Sequence, residues 1–396
     1  MRVLVLNSGG SSLKYKLYAM PGEEVMARGD VDRLGTARSL LRHWRGESEP
    51  LLLAEPIPDH LHGIRRVLEL LVGPAHGALA SLDQLDAVAH KLPHGGEVSG
   101  ACRIDEGVRA ALERFARVVP VHNPPVLKAI DALAGLLPRT PQCGTFETHF
   151  HASLEPAAWR YAVPEAWLTE HGIRRYGFHS CSHRFVAGRV AELLGRPLTE
   201  LRLVLCHLGS GTSVCGVRGG RSVEISSAFT PQSGTPMSTR SGDFDPFVLT
   251  YLLAQGWDAE RLEHVLTQES GLLGLSGVSG DLRDIEAAAA AGHERAALAI
   301  DVFVWNIRRW IGACLPATGG LDALSFTGGI GEHAPWLRAR VCAGLEWLGV
   351  ELDAERNAAG GEGLVSTAGS RVAVLAVNTD EEIVVARDAY AILTNP

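Results

Sequence analysis

Two short turns of glycine and hydroxyl residues are the first feature of the sequence that suggests chemistry. The segment "VLVLNSGGSSLKYKLY", residues 3–18, is an apolar run, a turn of small polar residues and a second, alternating run. The segment "LRLVLCHLGSGTSVCGV", residues 201–217, repeats this plan. Turns that present many backbone N–H groups and hydroxyls bind anions such as phosphate, although two ordinary glycine-rich hairpins would share the pattern. Neither turn is a P-loop, because the Gly-Lys-Ser/Thr signature is absent and a strand follows each turn.

A third glycine turn, "FTGGIGEH" at residues 326–333, follows another apolar run. Glycine at such a position allows a flat ring or a phosphate to lie against the backbone. Together the three turns predict a nucleotide site with two phosphate loops and one adenosine loop, the ligand lying between domains.

The elements that must position these turns alternate between strand and helix patterns, which predicts an α/β protein. Helical spacing of apolar residues predicts a helix over 104–119 and a second over 183–194 that stops at Gly195. A third predicted helix, over 294–315, is long and mostly buried, and we expect Pro316 to end it.

Composition limits the classes of function. The 396-residue chain has room for two domains, and its net charge of −8 disfavours a nucleic-acid partner. Seven scattered cysteines without a CxxC pair are typical of reduced thiols in a cytoplasmic protein. We expect no signal peptide and no membrane-spanning segment, since no apolar run approaches about 20 residues.

The sequence resembles the acetate kinase family, which includes propionate kinases and belongs to the actin, hexokinase and Hsp70-like fold group. The resemblance runs nearly end to end and is carried in order by "LNSGGSSLK", "HGG", "HNPP", "RRYGFHSCSH", "CHLGSGTS", "FTPQSGTPMSTRSGDFDP", "SGVSGDLRDIE", "FTGGIGE" and "TDEEIVVARD". It implies two actin-like (ribonuclease H-like) domains with a nucleotide cleft between them. Domain I would comprise residues 1–150 joined by a C-terminal helix at 381–396, and domain II residues 151–380 with the adenosine-binding loops.

The resemblance also implies an activity: reversible, direct in-line transfer of the ATP γ-phosphoryl group to acetate, giving acetyl phosphate and ADP, with Mg²⁺ or Mn²⁺. It further implies a homodimer. Such a transfer depends on positioning and on neutralising charge more than on covalent chemistry.

Four residues match the family's catalytic positions: His179, Arg240, Glu147 and Lys91. From the local sequence alone, two roles of Arg240 are equally compatible: binding a carboxylate or a phosphoryl group, and forming a structural ion pair with Asp243 or Asp245. His179 would otherwise be a structural hydrogen-bonding residue. The resemblance assigns Arg240 to the substrate and His179 to the phosphoryl group in flight.

The acceptor side departs from the family pattern at two charged positions. Lys91 stands where the family has arginine, and Glu147, in "TFETHFH", stands where it has aspartate. Lysine keeps the charge but cannot form the bidentate fork of arginine. A structural alternative for Glu147 is a half-buried acid satisfied by Thr148. The resemblance places six residues around the substrate: Lys91, Pro93, Val121, His122, Phe178 and Pro231.

The nucleotide side follows the family more closely. The positions that match its nucleotide contacts are Asn7, Ser12, Lys14, His207, Gly209, Ser210, Gly211, Asp281, Leu282, Arg283, Gly329, Ile330, Gly331 and His333. Asn7 and Glu381 match its metal-linked residues, although a glutamate at a helix start also complements the helix dipole.

Two other functions remain open from the sequence. The changes at the acceptor end are compatible with a nucleotide-binding paralogue of weak or no catalysis, and with a kinase for another small acid such as propionate. The expected partners are a small carboxylate and a nucleotide, in the cytoplasm.

Overall fold

A computed structural model describes residues 1–395 of the chain. It contains fourteen strands within that range: β1 (Arg2–Ser8), β2 (Leu13–Ala19), β3 (Glu24–Asp32), β4 (Leu40–Arg45), β5 (Leu51–Ala54), β6 (Ala87–Leu92), β7 (Ala101–Arg103), β8 (Gln142–Phe146), β9 (Arg202–Leu208), β10 (Thr212–Arg218), β11 (Arg221–Ile225), β12 (Ala323–Thr327), β13 (Gly363–Leu364) and β14 (Ala373–Ala376).

The same residues form fifteen α-helices: α1 (His60–Leu71), α2 (Glu106–Arg114), α3 (Asn123–Leu136), α4 (Pro156–Trp159), α5 (Glu165–His171), α6 (Ser180–Leu194), α7 (Phe247–Ala254), α8 (Ala259–His264), α9 (Gly271–Ser276), α10 (Leu282–Ala290), α11 (Glu294–Thr318), α12 (Gly328–His333), α13 (Pro335–Cys342), α14 (Ala354–Ala359) and α15 (Glu381–Thr394). The predicted helix at 381–396 thus ends at Thr394, and Pro396 lies outside the described residues.

The chain forms two compact units. The first comprises Met1–His149 with the segment that begins at Asp380, and the second comprises Phe150–Thr379. The first unit contains an eight-stranded sheet in the order β5-β4-β3-β2-β1-β6-β8-β7, and α15 packs against β1, β6, β7 and β8. The second unit contains a six-stranded sheet in the order β11-β10-β9-β12-β14-β13.

Both predicted strand–turn–strand segments are present, one in each unit. β1 pairs antiparallel with β2 and parallel with β6, and β9 pairs antiparallel with β10 and parallel with β12. The residues Val3–Leu6 in β1 and Leu203–Cys206 in β9 are at most 1% exposed, as expected for central strands covered on both faces. Each sheet therefore presents one glycine turn at the end of a central strand.

The three predicted helices exist, with different ends. α2 begins at its cap Asp105, which accepts a hydrogen bond from the Val108 amide at 2.8 Å. It ends at Arg114 rather than 119, because the amides of Ala116 and Val118 donate three residues back, to the Glu113 and Phe115 carbonyls, and so form tight turns instead of a helix. α6 begins three residues earlier than predicted and stops as expected at Gly195, whose φ is +61°.

The expectation that Pro316 ends the long helix is wrong. α11 continues to Thr318, and the stop is Gly319 in the left-handed conformation. Proline removes one backbone donor and crowds the preceding turn, which is why a stop was expected, yet α11 accommodates Pro316 and continues for two more residues. The Thr318 hydroxyl lies within hydrogen-bond distance of the Cys314 and Leu315 carbonyls of this last turn. The third glycine turn also differs from the expectation, since Gly328 to His333 form the short helix α12 directly after β12.

Candidate active site

The first group of predicted residues lies at the ends of two parallel strands in the first unit. Lys91 is the penultimate residue of β6, and Glu147 directly follows β8. The two strands are neighbours in parallel register, and the Glu147 amide donates to the Leu92 carbonyl at 2.7 Å. Glu381 belongs to the first turn of α15. The topology thus brings three charged side chains from distant parts of the sequence together.

The three charges form one largely buried cluster. The Lys91 ammonium nitrogen lies 2.5 Å from Oε2 of Glu381 and 3.8 Å from Oε2 of Glu147, and the side chains are 19%, 14% and 8% exposed. The glutamate side chain is longer than that of the family's aspartate. Glu147 therefore brings its carboxylate within 4 Å of the ammonium of Lys91, which stands in place of the family's arginine. Thr148 does not supply the structural alternative for Glu147, since its buried hydroxyl oxygen has no hydrogen-bond partner.

The remaining predicted substrate residues of this unit lie on loops. Pro93 follows β6 and is half-buried, while Val121 is 50% exposed and His122 precedes α3. Asn123 is fully buried and is structural, because its amide group bonds the backbone of His94 and Leu112.

The first glycine turn joins β1 to β2. The Gly9 amide donates to the Ser12 carbonyl at 2.9 Å, and a Cβ on Gly9 would lie 2.8 Å from the Ser12 hydroxyl. Asn7 and Lys14 are paired across the two strands, and Lys14 is exposed. This turn therefore presents an amide side chain and an ammonium group beside its hydroxyls.

The second unit brings Arg240 and His179 to its own glycine turn. A Cβ placed on Gly211 would lie 2.8 Å from Nη2 of Arg240 and 3.2 Å from Nε2 of His179, so only glycine leaves both groups their positions. His179 adopts φ 60° and ψ 30°, a left-handed conformation that is rare outside glycine and typical of functional sites.

Arg240 carries a partly buried positive charge. Burial lowers its pKa to about 10, which leaves the guanidinium protonated at neutral pH. Nη1 donates to the Pro231 carbonyl at 2.8 Å, and no ion pair of Arg240 is found within residues 1–395. Asp243 instead pairs with Arg309 at 2.9 Å, and the Asp245 carboxylate accepts from the Phe247 amide. The structural ion pair of Arg240 with Asp243 or Asp245 is therefore not present.

Histidines and serines surround His179. Its Nδ1 lies 2.8 Å from the Ser213 hydroxyl, and its ring stacks on that of His207 with centroids 4.3 Å apart. His207 in turn has Nδ1 at 2.7 Å from the Ser182 hydroxyl. Phe178 and Pro231, two of the residues predicted to surround the substrate, are buried in the same unit. Such an arrangement holds the His179 ring in one orientation.

A cavity of about 550 Å³ in the second unit brings together most of the predicted adenosine-side residues. Eight of them line it: Gly209, Ser210, Asp281, Leu282, Arg283, Gly329, Ile330 and His333. Asp281 caps α10 and pairs with Arg283 at 2.5 Å, and this pairing lowers the pKa of the Asp281 carboxyl to about 2. His207, Gly211 and Gly331 do not line this cavity.

The sequence reasoning missed five residues of the cavity wall: Ser238, Gly280, Glu286, Ala334 and Trp336. A signal existed for two of them. Glu286 lies one helical turn beyond Leu282 on α10, and Trp336 lies three residues beyond His333, the last residue of the third glycine segment.

Comparison with known proteins gives a match over nearly the whole chain. The sequence profile of the Acetokinase family matches residues 2–387. The chain belongs to the acetokinase family. An acetate kinase of Heliobacterium modesticaldum is 42% identical over 395 residues, covering 99% of this chain and 100% of that protein. An acetate kinase of Carboxydothermus hydrogenoformans is 42% identical and covers both chains completely.

Solved structures agree with this membership. The crystal structure of Porphyromonas gingivalis acetate kinase matches with a TM-score of 0.90 at 40% identity, covering 99% of each chain. A propionate kinase from Francisella tularensis matches with a TM-score of 0.89 at 28% identity over 98% of each chain. The predicted α/β fold with two actin-like domains is thereby confirmed. Among residues 1–395, no helix has the length and apolar character that crossing a membrane requires.

Proposed function

We propose that this member of the acetokinase family transfers the γ-phosphoryl group of ATP reversibly to acetate, giving acetyl phosphate and ADP. The observation that supports the proposal is the Arg240 guanidinium, partly buried and protonated, beside Nε2 of His179 at the second glycine turn. A desolvated cation whose ion pair is not supplied within residues 1–395 is a strong site for an anion.

The proposed reaction is a direct in-line displacement. An oxygen of the acetate carboxylate attacks the γ-phosphorus, and the bond from that phosphorus to the β–γ bridging oxygen breaks. The bridging oxygen leaves with ADP, and no proton has to be transferred. Arg240 would offset the charge of the moving group and contact the acceptor, while His179 donates a hydrogen bond to an equatorial oxygen. Lys91 would attract the acceptor carboxylate, and Glu147 and Glu381 would orient it and serve the metal.

The nucleotide would bind through the glycine turns and the 550 Å³ cavity of the second unit, whose volume is within the usual range for small-molecule sites. The Asp281–Arg283 pair and Trp336 offer polar and aromatic contacts for a ribose and a base. In the first unit, Asn7, Ser12 and Lys14 would contact phosphate. We also propose that the two compact units are the two actin-like domains.

The donor set fits the metal that the family uses. Within residues 1–395, no three His, Cys, Asp or Glu side chains are grouped to hold a metal. Magnesium bound with a nucleotide needs only one or two carboxylates, since phosphate and water complete its shell. Glu381 and Glu147 already lie beside one cation, the Lys91 ammonium, which supports a place for their carboxylates next to positive charge. We assign Glu381, with Asn7, to Mg²⁺ or Mn²⁺, which would neutralise phosphate charge when bound.

Acetate is favoured over a longer acid. The acetate kinases reported above are 40–42% identical to this chain, against 28% for the propionate kinase. Val121, Phe178, Pro93 and Pro231 would provide a small apolar wall for the methyl group. The buried thiols, six of seven cysteines, support a place in the cytoplasm.

The experiment that tests the function is an acceptor panel. Purified protein is incubated with MgATP and excess acetate, propionate or butyrate, and acyl phosphate is trapped with hydroxylamine. We expect acyl hydroxamate with acetate, less with propionate, and none without carboxylate. Tight nucleotide binding without any hydroxamate would overturn the proposal in favour of a non-catalytic paralogue. Activity on acetate that appears only after Lys91→Arg with Glu147→Asp would assign the native chain another acceptor.

We further propose a homodimer formed through α7. None of its eight residues, "FVLTYLLA", is buried, and Phe247 and Tyr251 are 75% and 64% exposed. A helix that is apolar all round is normally covered. Sedimentation velocity at micromolar concentration should show a dimer for the native protein and a monomer for Phe247→Glu. Trp347→Glu, at another exposed aromatic, should remain dimeric. A monomeric native protein would exclude this interface.

A further inference from the structure

A single serine hydroxyl connects two histidines in the second unit. Oγ of Ser213 lies 2.8 Å from Nδ1 of His179 and 2.8 Å from Nε2 of His183. Ser213 and His183 are both fully buried. A hydroxyl has one proton and two lone pairs, and within residues 1–395 the hydroxyl of Ser213 has only these two rings as hydrogen-bond partners. Accepting from both rings would leave its buried proton unsatisfied, so Ser213 donates to one ring and accepts from the other. The direction of these two hydrogen bonds therefore decides which nitrogen of His179 carries its proton.

His183 sets the direction of the two hydrogen bonds. Burial, together with the neighbouring rings of His151 and His207, holds the pKa of His183 well below its usual value, so its ring is neutral. A neutral ring has one N–H, and Nδ1 of His183 is buried with no hydrogen-bond partner. A proton on Nδ1 would leave a buried donor unsatisfied, which folded proteins avoid more strictly than an unsatisfied acceptor. The proton of His183 therefore lies on Nε2 and points to Ser213.

The consequence reaches the proposed reaction centre. Ser213 accepts from His183, so its own proton goes to Nδ1 of His179, and the neutral His179 ring carries its proton on Nε2. That nitrogen is the one beside Gly211 and Arg240. We propose that His183 and Ser213 are positioning residues, which fix His179 in the Nε2–H tautomer and so present a donor to the transferred phosphoryl group.

The other tautomer would work against the reaction. A proton on Nδ1 would leave a bare nitrogen lone pair on Nε2, directed toward an anionic phosphoryl group, and the hydrogen bond would become a repulsion. His183 lies in the first turn of α6, and this structural position is compatible with the additional task. The inference rests on the proposed function for its catalytic consequence, but the tautomer itself is a property of the nucleotide-free protein.

The test uses the full-length protein labelled with ¹⁵N-histidine. Long-range ¹H–¹⁵N spectra separate protonated from bare ring nitrogens, and the His179 signals are assigned by their loss in His179→Gln. We expect the native protein to hold His179 in the Nε2–H form. Ser213→Ala should mix the two tautomers and lower kcat by about 10- to 100-fold, with the KM for ATP nearly unchanged.

Matched variants separate positioning from packing. Ser226→Ala removes a nearby buried hydroxyl that accepts from the Val214 amide, and it should keep the native tautomer. Ser213→Thr preserves the hydroxyl, and His183→Gln preserves a donor nitrogen. Both variants should keep most of His179 in the Nε2–H tautomer. An Nδ1–H or doubly protonated His179 in the native protein overturns the inference, as does an unchanged tautomer in folded Ser213→Ala. If Ser213→Ala does not fold, the native spectrum and His183→Gln still decide. A native Nε2–H ring in a protein without acyl phosphate formation would refute the function and leave the tautomer assignment standing.

Discussion

Arg240→Ala is expected to lower kcat for acetyl phosphate formation by about 10³-fold or more, with only a modest change in the KM for ATP. An arginine that stabilises a transferring phosphoryl group contributes about 10³ to 10⁵ in kcat. The guanidinium of Arg240 is already partly desolvated and held by the Pro231 carbonyl, so little reorganisation is needed when charge develops. The measurement is steady-state kinetics with the hydroxylamine trap.

Two variants control this prediction. Arg240→Lys keeps the charge without the planar fork, and we expect it to recover only part of the lost activity. Arg309→Ala removes an exposed arginine of the same unit, the one that pairs with Asp243, and its kcat should remain near the native value. If Arg240→Ala retained more than about a tenth of the native kcat, the role assigned to its buried charge by analogy with other phosphoryl transferases would be wrong.

Lys91→Met is expected to destabilise the first unit strongly. It would leave the carboxylates of Glu147 and Glu381, both within 4 Å of the same ammonium, facing each other with little exposure to water. Removing one partner of a buried ion pair costs about 3–5 kcal/mol, and we expect about 2–4 kcal/mol here because the cluster is not fully buried. Differential scanning calorimetry should show the Tm of that unit falling by about 5–10 °C.

A second substitution should relieve the effect. Lys91→Met combined with Glu381→Gln removes one of the two facing charges, so its Tm should lie well above that of the single variant. Lys128→Met removes an exposed lysine on α3 and should leave the Tm unchanged. A Tm for Lys91→Met within the error of the native value would show that the ion pair does not hold the three segments together.

The sequence was sufficient for features that are local. Both glycine turns and their flanking strands could be predicted, because apolar runs and small residues act on the backbone where they stand. Helix ends were less predictable. Pro316 is accommodated inside α11, and the helix ends instead at Gly319, three residues further on, where the backbone is left-handed.

Contacts between distant residues were beyond the same reasoning. Lys91 and Glu381 are 290 residues apart and meet at 2.5 Å only because α15 packs on β6 and β8. The resemblance gave their positions but not their ion pair. The Ser213 connection between His179 and His183 likewise depends on β10 lying beside the start of α6, and no periodicity in the sequence indicates which ring nitrogen a hydroxyl will face.

The most direct test of the proposed reaction follows the acceptor oxygen into the product. The protein is incubated with MgATP and acetate labelled with ¹⁸O in its carboxylate, and the product is examined by ³¹P NMR. Direct attack on the γ-phosphorus predicts ADP together with acetyl phosphate whose phosphorus is bonded to one ¹⁸O from the acetate. Formation of AMP, or of acetyl phosphate without ¹⁸O on phosphorus, would contradict the central claim that this protein joins a carboxylate directly to the terminal phosphoryl group of ATP.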